Sequence, residues 1–140
     1  MMSPLLALAL IQAPPAAPPV LGTLPRQQLP ERGCAAYLWT VQDQRLVAMA
    51  EPARLRILVD GTVRDLPAAE GSGAGTLGFA DSTRFAGGGW TATLSMTIAQ
   101  RETLQDGAIV SDATLRIGRD GQDEIAVPVG GLVGCTPAAR

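Results

Sequence analysis

The stretch Trp90 to Ala99 restricts the fold of this chain more than any other. Trp90, Ala92, Leu94, Met96 and Ile98 fall on one side, and Thr91, Thr93, Ser95, Thr97 and Ala99 on the other. A period of two puts successive side chains on opposite faces of an extended strand, so this segment reads as a strand with an apolar face on a core and a hydroxyl face in water. No 12-residue window elsewhere carries a helical stripe. The rest of the chain must therefore supply further strands.

Several segments do so. Ala35 to Val41 has strand composition, and Leu46 to Ala50 follows it after the polar Gln42-Asp43-Gln44-Arg45 turn. Glu51-Pro52 interrupts the pattern. Leu55 to Leu66 reads as a hairpin on Asp60-Gly61, a dipeptide that type I′ turns favour. That turn sets Arg56 opposite Asp65 and Leu55 opposite Leu66, and leaves Ile57 awkwardly opposite Arg64. Glu70 to Gly75 reads as a glycine loop with no following helix to hold a phosphate, and Thr76 to Ala80 as a short strand. Gly87-Gly88-Gly89 permits a bend into the Trp90 strand. Asp106-Gly107 marks a further turn. Near Asp120-Gly121, an odd-length connection sets Ile117 against Ile125 and Leu115 against Val127, whereas a two-residue loop would oppose Ile117 to Glu124. The same parity carries Val129, Gly131, Val133 and Cys135 inward, and Pro128 implies an edge position or a bulge. The expected fold is all-β: a small antiparallel barrel or sandwich of about seven to nine short strands.

Ahead of this body, residues 1–13 read as an export signal, because Leu5 to Ile11 form a short uncharged apolar run, too short to span a bilayer. Residues 14–33, opening on Pro-Pro-Ala-Ala-Pro-Pro-Val, read as a proline-rich disordered linker. The β domain is expected over 34–136, with a C-terminal tail at 137–140. Cys34 and Cys135 are the only cysteines and bracket the patterned region. Joined in an oxidising compartment, they would close a loop of about a hundred residues, worth roughly 4–5 kcal/mol from lost chain entropy. Two cysteines do not make a closed zinc site.

Composition removes several chemistries. The chain has no histidine, and all eleven of its basic residues are arginine. It has no Ser-His-Asp triad, no imidazole metal ligand, no Schiff-base lysine and no P-loop lysine. A net charge of −2 with scattered arginines is not the clustered basic footprint of a nucleic-acid binder. Asp120, Asp123 and Glu124 form the densest acidic group, without the alternating ligands of an EF-hand loop, and read as a solvated turn. Trp39 and Trp90, two of five aromatic residues, read as core, with a flanked ligand pocket as the other placement. No catalytic, cofactor-binding or metal residue is assigned.

Residues 55–96 resemble the membrane-bound and periplasmic inhibitors of c-type lysozyme, through the strand with Asp60-Gly61, the small-residue loop at Ser72-Gly73, and Trp90 followed by Ala92-Thr93-Leu94. The likeness covers under a third of the chain and implies a periplasmic inhibitor. Ser72-Gly73 lacks the Ala-Arg-Tyr that follows in that family, and the body continues past the point where its domain closes. No inhibitory residue is carried over. The expectation is an exported, monomeric bacterial envelope protein, periplasmic or secreted, without a membrane span. It would be a non-catalytic module that binds an unidentified protein or envelope component, or has a structural role. The alternatives are a small-ligand carrier with an apolar barrel cavity and a lysozyme-inhibitor-like protein. The sequence names no cofactor.

Overall fold

The computed structural model describes residues 4–5, 17–100 and 107–136. Eight antiparallel strands follow one another around a closed barrel. They are β1 (Cys34–Thr40), β2 (Leu46–Glu51), β3 (Arg54–Val59), β4 (Thr62–Ser72), β5 (Ser82–Gly87), β6 (Trp90–Ala99), β7 (Gly107–Arg119) and β8 (Ile125–Cys135). β8 returns to β1 over seven residue pairs, from Cys34 opposite Cys135 to Thr40 opposite Val129. The two cysteines are disulfide-bonded. Between barrel and sandwich, the structure is a barrel. The export segment and the C-terminal tail lie outside the described residues, apart from Pro4 and Leu5.

The Trp90 strand is β6, with Trp90, Ala92, Leu94 and Met96 buried inside. Its inward residues meet Ile117, Leu115 and Ala113 of β7. Phe85, Leu38, Leu55, Ile57, Leu66, Leu115, Ile117 and Val129 complete the filling, each almost wholly removed from water. Alanines at 36, 48, 50 and 92 line the same space, so small side chains sit beside large ones in a single buried cluster. The expected hairpin registers hold: Leu55–Leu66, Arg56–Asp65, Leu115–Val127 and Ile117–Ile125.

Three features of the strand layout differ from the sequence expectation. Thr76 to Ala80 is a tight turn closed by reciprocal Thr76 and Phe79 backbone hydrogen bonds of 3.0 Å. The strand lies further on, at Ser82–Gly87, where Phe85 is its one buried side chain. Glu70 to Ser72 belong to β4 rather than to a loop. Finally, the packed body begins before Cys34. The β2–β3 ladder stops at Ala48–Ile57, and beyond it the N–H groups of Gly22 and Leu24 donate to the carbonyls of Leu58 and Leu46, both at 2.8 Å. Residues 20–24 thus wedge into the opening between β2 and β3. Burial of Leu21 and Leu24 secures them, and Leu24 covers the outer faces of Ala35 and Met49. A proline-rich approach does not prevent this, because an extended segment can still lend its backbone to a sheet. Residues 20–24 are therefore part of the barrel rather than a disordered linker.

Replacing Cys34 and Cys135 together by alanine should cost about 2–5 kcal/mol in urea unfolding, because the lost constraint spans nearly the whole barrel. The far-ultraviolet spectrum without denaturant should stay unchanged. A loss below the measurement error would mean the β1–β8 ladder alone holds the seam.

Candidate functional site

The hairpins alternate between the two ends of the barrel, so its chemistry-bearing groups sort into an outer wall and a mouth. The wall is formed by β7, β8 and β1. Ile109, Leu132 and Tyr37 lie in one row across these strands, all pointing outward. Trp39 and Val41 continue the outward parity of β1. Leu132 is 50% exposed and Val41 65%. β8 carries glycine at 130, 131 and 134: the Leu29 side chain packs over Gly134, and a Cβ on Gly131 would run into the Tyr37 carbonyl and lie 2.9 Å from the Trp39 ring. Trp39 is therefore not core: it lies half-buried on the wall, while Trp90 is inside the barrel, and the two do not flank a common pocket. The run from Ala35 to Val41 is apolar on both faces, which hides this distinction in the sequence. The Tyr37 hydroxyl donates to the Gln28 carbonyl at 2.9 Å, and burial, with a smaller contribution from Glu51, raises its pKa above the usual tyrosine value.

The mouth is the end that holds Thr40, Leu46, Val59, Trp90, Arg119 and Ile125. Asp60, in the left-handed backbone region at φ 49°, is a crossing point there. Its carboxylate accepts the Val20 N–H at 3.0 Å and pairs with Arg119. β3 and β7 stand opposite each other in the ring of eight, so this ion pair bars the mouth. The guanidinium carbons of Arg119 and Arg64 lie 4.8 and 5.6 Å from the Trp90 ring centroid, within cation–π range. The Ile57–Arg64 pairing that looked awkward in sequence is thus accommodated at the rim. Arg64 Nε is the one buried side-chain polar atom left without a hydrogen bond among the described residues.

On the other side of the bar, a cleft of about 390 Å³ opens between the 41–45 turn and the start of β8. The turn is tied by Asp43, which accepts from the Thr40 hydroxyl and from Arg45 Nε, the latter at 2.6 Å. Hydrogen bonds from Thr40 and then Arg45 hold the Asp43 carboxyl below the usual aspartate range. A larger, more open groove of about 640 Å³ runs beside Arg26, Arg32, Arg54 and Arg56, where Glu51, Asp65 and Gln27 take up the Arg54 and Arg56 guanidiniums. These charged residues lie on the outside of a barrel whose interior is apolar.

Asp120, Asp123 and Glu124 sit in the β7–β8 connection. Asp120 accepts from the Thr91 hydroxyl at 2.6 Å, and Glu124 lies 3.7 Å from Arg116. Among the described residues, no three His, Cys, Asp or Glu side chains gather in metal-binding geometry. The elements that resemble lysozyme inhibitors do not converge. Asp60-Gly61 and Trp90 mark the mouth, while Ser72-Gly73 lies at the far end of β4, roughly 30 Å along the strand at 3.3 Å per residue.

Because the Asp43 carboxyl is more acidic when folded, its stabilising effect is complete above the ordinary aspartate value and drains as pH falls through the depressed one. Asp43→Asn should lower Tm at pH 7, and the difference from the parent should close on acidification below about pH 4. A difference that is independent of pH would assign the effect to the turn backbone. Comparison of the chain with family models, curated proteins and solved structures finds no match in any of the three.

Proposed function

We propose that this protein is a non-catalytic binding module of the bacterial cell envelope, acting outside the cytoplasm and recognising a partner protein through the β7–β8–β1 wall. The carrying observation is that the barrel interior is filled while an aromatic-apolar wall stays exposed. Leu38, Leu94 and Leu115 point into the barrel and are closed to water, which speaks against a calyx open to solvent. Trp39, Leu132 and Ile109 instead present a flat surface on rigid strands, with the aromatic and aliphatic anchors that protein interfaces concentrate at their centres. The disulfide between the terminal strands supports an oxidising compartment, and no helix among the described residues is long and apolar enough to cross a membrane.

A photo-crosslinking amino acid placed at position 132 in the native host should give a protein-sized adduct, and the same probe at position 95, on the hydroxyl face of β6, should not. An adduct at 95 alone would move recognition to that face. Absence of both, with a stoichiometric small molecule retained in native mass spectrometry, would replace this reading by a carrier.

A further inference from the structure

The cleft at the mouth follows from one residue. In the β1–β8 register, Val41 falls opposite Pro128, and the Val41 N–H donates to the Pro128 carbonyl at 3.2 Å. An antiparallel pair of this kind exchanges two hydrogen bonds, but proline has no N–H to return. The ladder ends there and the chain turns away at 41–45. β8, however, has already run from Ile125 to Pro128 alongside β7. This overhang forms one side of the cleft, the turn forms the other, and Leu21 of the N-terminal wedge closes the base.

Ile125 and Val127 share the inward parity of buried Val129 and Val133, yet both are only partly covered. The apolar column of the barrel therefore surfaces inside a concavity. Its polar border is already committed. The Thr40 hydroxyl donates to Asp43 and accepts the Arg45 N–H at 3.0 Å. The Arg45 guanidinium bonds Asp43, the Leu21 carbonyl and the Thr23 hydroxyl. These contacts fix the walls in advance of any ligand, and the two charges neutralise each other. Gln42 lines the same cleft, and its amide makes no hydrogen bond among the described residues. At about 390 Å³ the cleft lies at the lower end of the range for small-molecule sites.

We infer that this cleft binds a small uncharged amphipathic molecule, with an apolar body on Leu21, Ile125, Val127 and Pro128 and a hydroxyl or carbonyl head at the Gln42 amide. The site is separate from the wall assigned to a partner protein and does not depend on that reading.

Titration of the oxidised protein with 1-octanol, followed by amide nuclear magnetic resonance, tests it. Saturable shifts are expected at residues 40–45 and 125–128. Octanoate and octylammonium should bind at least about tenfold more weakly, since the neutral border gives no compensation for desolvating their charge. Val127→Phe should fill the cleft and abolish the saturable shifts without lowering Tm. Gln42→Ala, an exposed change, should leave Tm unaltered and weaken octanol by about fivefold, the size of one hydrogen bond. Non-saturable shifts, shifts centred on the wall, or a Val127→Phe protein that is folded and binds octanol as before would each overturn the site. Equal binding of octanoate would overturn the uncharged ligand class.

Discussion

The seam between β1 and β8 concentrates nearly all the topological cost of this protein. Seven of the eight seams in the ring join strands that are neighbours in sequence, and these can form as local hairpins. The eighth must bring together residues separated by 101 positions. Closing so long a loop costs chain entropy before any hydrogen bond repays it. Seven residue pairs and a disulfide at the outer end of the ladder are gathered there. Opening this seam would expose two strand edges and the apolar filling together, so barrel stability and seam stability are nearly one quantity.

The same seam shapes the surface. Gly131 admits the close approach of the Tyr37 backbone, and Gly134 makes room for the Leu29 side chain of the N-terminal segment. At its other end the seam stops at Pro128, and the cleft begins where the pairing ends. Wall and cleft therefore derive from β8 composition: glycine where strands must lie close, proline where they must part. Both are backed by the single buried cluster inside the barrel.

Local pattern made much of the fold legible. The alternation in Trp90–Ala99 identifies β6, and turn chemistry with matched side chains gives the Leu55–Leu66 and Leu115–Val127 registers. β5 escaped because Ser-Thr-Arg-Phe-Ala-Gly presents a single large apolar residue, too little for a periodic signal. The wedge at 20–24 escaped because Leu21 and Leu24 are two isolated leucines among prolines and polar residues, and the opening they fill exists only once β2 and β3 diverge. Trp39 was misplaced as core because Tyr37, Leu38 and Trp39 are apolar whichever way the strand faces. The cleft was beyond local reading altogether. It requires the pairing of Val41 with Pro128, a partnership between the two ends of the domain. Proline at 128 was a readable sign of an edge; the residue it would fail to bond was not.

The wedge also sets a direction. It enters the barrel beside Asp60 at the mouth, passes along the outside of β2 and β1, and delivers the chain to Cys34 at the opposite end, where the Thr136 N–H meets the Gly33 carbonyl at 2.9 Å. Val20 and Thr136 therefore lie at opposite poles of the barrel. A group joined directly at Val20 would lie at the mouth, on the side of the cleft. A group joined directly at Thr136 would lie at the opposite pole, beside the disulfide.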